Sequence, residues 1–248
     1  MSVDTPEQLD GLRAAGAVVA ATIDALRRAV APGVSTVELD RLAAELLAAG
    51  GARSGPIITY GFPGSICLCV DDEVVHGIPG PRRLEDGQLL TIDVAAELDG
   101  YHADAAVTVA VGTPDATARR LISGARAALA AGIEAARPGA TLREVGGAIE
   151  RITEARGLRV VRELTGHGIG RGLHEPPSVP HWPAPWASTR LTPGLVFTIE
   201  PMVVAGKPWV YLDDDGWTVR TRDRGRCAHE EHTIMVAEGG PVLITAPA

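Results

Sequence analysis

Apolar positions follow two periods along this chain. Apolar residues three or four apart predict helices over 6–30, 35–49, 114–136 and 141–156. Short apolar or alternating runs bounded by turn residues predict strands near 56–60, 66–71, 89–97, 102–111, 159–165, 195–204, 217–222 and 230–236. The proline-rich stretch Pro176 to Pro185 reads as a loop. Asp213-Asp214-Asp215-Gly216 reads as a hairpin turn, because the alternating ligands and distal Glu of a calcium loop are absent.

The elements occur in a repeating order. Thr5-Pro6, with Gln8 completing a capping box, opens the first helix, and Thr113-Pro114 opens its counterpart. Pro32-Gly33 precedes the box Ser35-x-x-Glu38, as Pro138-Gly139 precedes Thr141-x-x-Glu144. Each helix pair is followed by His-Gly-Ile, at His76 and at His167. Each is then followed by a strand ending in a carboxylate, Asp93 and Glu200, about 107 residues apart. Four such coincidences in register predict two related α/β halves, about 5–112 and 113–240, packed as a single domain over 1–248 with function in the cleft between them.

Asp99-Gly100 between two apolar alternating runs is a strong hairpin signal. With those residues as the loop, Ala95 faces Asp104, and Asp93 lies two residues along on the same face. The two carboxylates are then diagonal neighbours about 7–8 Å apart, and a shift of one residue would send either to the opposite face. Buried together they repel and need compensation. No Arg or Lys occurs between Arg83 and Arg119, so an external cation is the natural partner. The competing reading leaves one or both on a solvated face or pairs one with an arginine. Glu200, after Leu195-Val196-Phe197-Thr198-Ile199, and Glu231, opening Glu231-His232-Thr233-Ile234, are likewise set in apolar β-sequence. His167 stands among glycines that permit close backbone approach. Alone it could equally be a hydrogen-bonded core histidine; beside four carboxylates it reads as a ligand. Oxygen-rich ligation with one imidazole suits Mn, Co, Fe(II) or Zn. Four carboxylates exceed one ion's needs, and two divalent ions about 3.5–4 Å apart would balance them.

Composition narrows the setting. The 248 residues are 46% hydrophobic with mean hydropathy +0.11, enough for a full core. A net charge of −8 and a pI near 5.4, without a dense basic run, argue against nucleic-acid binding. We expect neither a secretory signal nor a membrane span. Cys67, Cys69 and Cys227 form no disulfide framework and suit a reducing cytoplasm. Cys67-x-Cys69 lacks a second ligand pair and reads as buried free thiols.

At these residues the chain resembles the type I methionine aminopeptidases. The matching stretches are Glu73 to Pro79, Ile92-Asp93, Gly100 to Asp104, Gly166 to Pro176, Thr198 to Met202 and Glu231 to Thr233. The resemblance implies an α+β, pita-bread (creatinase/aminopeptidase) fold with two pseudo-symmetric halves around a curved antiparallel sheet. It implies removal of the initiator methionine from nascent polypeptide N-termini, met transiently at the ribosome, where the next residue is small. Asp93 would chelate one metal, Asp104 and Glu231 would bridge, and His167 and Glu200 would complete the second, with Glu200 as base. His76 and His174 would contact substrate and assist proton transfer. Phe62, Cys67, Leu173 and Trp217 would form the methionine pocket. A monovalent cation near Asp71 is a further implied cofactor, and a monomer is the expected state. The chain departs from the common Tyr-His-Gly-Tyr-Pro at Thr59-Tyr60-Gly61-Phe62-Pro63. The rivals are an X-Pro dipeptidase or aminopeptidase P-like enzyme, usually with an extra N-terminal domain, and a non-catalytic binding protein, which should lack the ligands.

Overall fold

Local chemistry sets the helix ends in the computed structural model, which describes residues 1–246. Helix α1 spans Pro6–Ala29 and α2 spans Thr36–Ala49. Their counterparts are α4, Ala116–Ala135, and α5, Leu142–Ala155. Ser35 with Glu38 and Thr141 with Glu144 form the expected reciprocal capping boxes. Two expected caps differ. Gln8 accepts from the Asp4 backbone N–H at 2.7 Å instead of that of Thr5. α4 begins after Thr113-Pro114 because Asp115 accepts from the Ala118 N–H at 2.7 Å.

Short strands surround a central hairpin. β1 (Arg53–Ser54), β2 (Cys67–Val70), β4 (Leu89–Leu98) and β5 (Tyr101–Ala110) form one sheet, in which β4 pairs with the other three. β3 (Glu73–Val75) joins β11 (Val210–Leu212) and β12 (Val219–Thr221), with the aspartate turn 213–216 between those two. β6 (Arg159–Val160), β10 (Met202–Val204) and β13 (Cys227–His229) form a third sheet. The fourth has the order β15-β14-β9-β7-β8, from Val242–Leu243, His232–Met235, Val196–Ile199, Gly166–Gly168 and Glu175–Val179. Every strand pair among the described residues is antiparallel.

The central hairpin has the expected register, with Leu98 opposite Tyr101 and Ala95 opposite Asp104. Asp99 and Gly100 both take positive φ, +50° and +79°, as the tight turn requires. Reciprocal hydrogen bonds join Ala106 of β5 to Glu231, 2.9 Å and 3.4 Å, and stitch the first sheet to the fourth. The Asp104 N–H donates to the Thr233 hydroxyl at 3.0 Å across the same seam. Outside it, Leu12, Val19, Ile23 and Leu26 of α1 pack with Ile92 and Val94. Leu129, Val145 and Ile149 of α4 and α5 pack with Phe197, Ile199 and Ile234. The helices thus cover the outer face and leave the inner face to a cleft.

Four expectations are corrected. Residues 56–60 belong to a helix, α3 (Gly55–Tyr60), not a strand: Ser54 caps its start, Pro56 occupies its first turn, and Gly61 ends it at φ +68°. Part of the proline-rich loop is strand β8, tolerated because β8 is the outer strand of its sheet and needs few backbone donors. The run 195–204 is two strands, since the Glu200 N–H turns to His181 Nε2 at 3.2 Å and Pro201 has no N–H to offer a ladder. Asp93 also lies within β4 and does not end it.

Candidate metal centre and substrate cleft

The hairpin and the seam bring the acidic residues together. Asp93 and Asp104 come from β4 and β5, Glu200 from the end of β9, Glu231 from the seam and His167 from β7. His167 Nε2 lies 3.6 Å from Glu200 Oε1 and 4.0 Å from Asp104 Oδ2. Gly166 and Gly168 are required beside it, because a Cβ would strike the Thr198 carbonyl at one and the Pro176 carbonyl at the other. His167 Nδ1 contacts the Gly168 carbonyl at 2.9 Å. A carbonyl only accepts, so Nδ1 carries the proton and the Nε2 lone pair faces the carboxylates. Thr198 donates to Glu200 Oε1 at 2.6 Å and accepts from the His167 N–H at 3.0 Å, which positions both residues.

Burial dominates the electrostatics. It pushes Asp104 up to about 6 and Glu200 up to about 8, with the Asp104 charge also raising Glu200. Glu231 is raised well above the carboxylate range, first by burial and then by Asp104, Glu200 and Asp93. Asp93, which keeps some surface towards the cleft, is raised by desolvation and by Asp104 and Glu200. Burial lowers His167 to about 3. Without metal, the raised carboxyls hold protons in the folded state that unfolding releases, so stability falls as pH rises through their range. Buried histidines act in the opposite sense, but only below about 6.5, where free imidazole is protonated. Between about pH 6.5 and 8, Glu200 and its neighbours therefore set the sign. The thermal midpoint of metal-free protein is expected to fall across that window in calorimetry; a rising midpoint would contradict the burial of these acids.

All eleven residues singled out in the sequence line one cleft of about 320 Å³. His76 and His174 flank the acids, and the His174 ring lies 4.0 Å from that of His167. His76 adopts φ +59°, a backbone conformation held against its side-chain preference. Gly77 after it approaches the Leu68 backbone where a Cβ would collide. Phe62 and Trp217 meet edge to face at 5.2 Å, and Cys67 and Leu173 are buried beside them. Cys67, Cys69 and Cys227 are all buried free thiols. Near Asp71, Cys227 Sγ contacts the Asp71 and Glu73 carbonyls at 3.4 Å and 3.2 Å.

The donor set fits divalent metal. Asp104 Oδ1 and Glu231 Oε1 are buried without hydrogen-bond partners, which a cation would satisfy. Asp104, His167 and Glu231 form one potential metal-holding trio, and Glu200, His229 and Glu231 form another. His229 and Tyr60, whose hydroxyl lies 2.7 Å from His174 Nδ1, were not singled out in the sequence. Strand alternation around Glu231 carries a signal for His229, two residues earlier. Tyr60 carries none, because its segment reads as a strand.

Fold and donor set together define a metal-dependent peptidase of the pita-bread fold: the chain belongs to metallopeptidase family M24, whose model matches residues 10–238. Within that family it is 43% identical to methionine aminopeptidase 1 of Bacillus subtilis over 241 residues, 97% of each chain. Methionine aminopeptidase from Rickettsia prowazekii matches at TM-score 0.96 and 38% identity, covering 99% of this chain and 100% of that one. Prolidase from Pyrococcus furiosus shares the fold at TM-score 0.79 and 23% identity, with 66% of its chain covered.

Proposed function

We infer that this enzyme removes the initiator methionine from polypeptide N-termini, preferring a small second residue. The observation that carries the reading is a cluster of four carboxylates and an imidazole at the base of an apolar-walled cleft, with Asp104, Glu200 and Glu231 buried and Asp93 and His167 half-buried. Asp93 would hold one ion, Asp104 and Glu231 would be shared, and His167 and Glu200 would complete the second; Co, Mn, Fe(II) and Zn all suit these donors. Bound ions supply a water made acidic, its pKa lowered from about 15.7 towards about 7, and polarisation of the scissile carbonyl.

The chain's own residues do the rest. Glu200, its Oε1 fixed by Thr198, takes the proton from the attacking water. With the Tyr60 hydroxyl donating to Nδ1, His174 carries its hydrogen on Nε2 and donates to the developing oxyanion. His76, kept neutral by burial, contacts the scissile amide and assists proton transfer to the leaving amine. Phe62, Cys67, Leu173 and Trp217 receive the methionine side chain, whose thioether suits sulfur and ring edges. Both halves supply ligands, so the whole chain acts as one catalytic domain.

We place the enzyme in the cytoplasm as a monomer acting on nascent chains. Contact with the ribosome is transient, since no dense basic run would hold RNA phosphates. A monovalent cation near Asp71 would have to displace the Cys227 thiol from two carbonyls. With Co(II) or Mn(II), the protein should release Met from Met-Ala-Ser and leave Gly-Pro intact. The reverse preference would replace this reading with an X-Pro dipeptidase, and no hydrolysis under any metal would favour a binding protein.

A further inference from the structure

His229 is buried in the cleft wall, 1% exposed, with neither ring nitrogen hydrogen-bonded. Two polar atoms without partners in the interior are costly unless something else satisfies them. The ring is turned towards the acids: Nε2 lies 3.6 Å from Glu231 Oε2. That is too long for a hydrogen bond. It equals the 3.6 Å from His167 Nε2 to Glu200 Oε1, the two residues proposed above to hold one ion together. Donor atoms of His229, Glu200 and Glu231 all lie within 4.8 Å of one another, as do those of Asp104, His167 and Glu231. Glu231 belongs to both trios, and each trio has its own imidazole.

We propose that His229 is a sixth protein ligand of the dinuclear centre, adding a second imidazole nitrogen to the ion assigned to His167 and Glu200. The proposal rests on the metal-centre reading above and adds a donor to it. His229 Nε2 would offer its lone pair to the ion assigned to His167 and Glu200, with Glu231 within reach of both imidazoles. A second nitrogen donor makes the site softer than a five-ligand set with a single histidine. Selectivity shifts towards Fe(II), Co(II) and Zn and away from Mn(II) and Mg(II), which favour oxygen.

The test uses the full-length protein, stripped of metal and titrated with Co(II). Proton NMR of the loaded protein resolves the exchangeable N–H of each ligating imidazole as a far-shifted signal. Wild type should show two such signals and His229→Gln one. Calorimetric titration should show one of the two Co(II) ions bound at least tenfold more weakly in both His229→Gln and His229→Ala. The metal-free His229→Gln variant should melt close to wild type, since glutamine fills most of the imidazole's volume and can hydrogen-bond in its place; this separates lost ligation from lost folding. One shifted signal in wild type, with both variants binding two Co(II) ions at unchanged affinity, would overturn the sixth ligand and leave the metal centre standing. A wild-type protein that takes up no Co(II) would overturn the metal-centre reading, and the role of His229 with it.

Discussion

Replacing Glu200 with glutamine is expected to lower kcat on Met-Ala-Ser by about a thousandfold while the protein stays folded, within the range that loss of a positioned general base costs. Glutamine has the same length and keeps one carbonyl oxygen, which can accept from Thr198 as Glu200 Oε1 does at 2.6 Å. What is lost is the carboxylate that takes up a proton. In the metal-free site burial pushes that group up to about 8, and the positive charge of bound ions would return it to the carboxylate form that accepts a proton. Steady-state kinetics alongside circular dichroism would decide the matter, and wild-type turnover in the variant would remove Glu200 as the base.

Asp104→Ala should have the larger effect on metal. Asp104 is 7% exposed, sits on the seam between sheets, and has one oxygen without a partner. Deleting a shared ligand should weaken metal binding beyond the roughly 10–100-fold typical of a supporting residue, with activity falling in step. The metal-free variant should nonetheless be more stable than metal-free wild type near pH 7, because a buried negative charge among Asp93, Glu200 and Glu231 is gone. Equilibrium dialysis and thermal melts of both proteins, with and without Co(II), would show this. An unchanged Co(II) affinity would place Asp104 outside the centre.

The long elements were readable because each carries many residues of one period and defined caps. Ser35 with Glu38 and Thr141 with Glu144 mark helix starts to within a residue. Asp99-Gly100 specifies the hairpin register that places Asp93 and Asp104 on one face. The acids of the site followed from that register and from the repeat. The short strands did not: β1, β3, β7, β13 and β15 have two or three residues each, too few for a period to emerge. Ile57-Ile58-Thr59-Tyr60 has strand-like composition, but the Ser54 cap and Pro56 favour a helical turn. Strand β8 was concealed by prolines that only an outer position tolerates. His229 escaped because a single histidine beside acids looks ordinary until the fold shows both its nitrogens buried and unpaired.

A single titration tests most sharply whether bound metal drives methionine release. Protein stripped of metal is given Co(II) stepwise, with bound ion and Met released from Met-Ala-Ser measured in the same samples. No release is expected from metal-free protein; activity should appear as ions bind, and binding should saturate at two ions per chain. Methionine release at full rate without metal, or bound Co(II) with no release at any loading, would contradict metal-driven release.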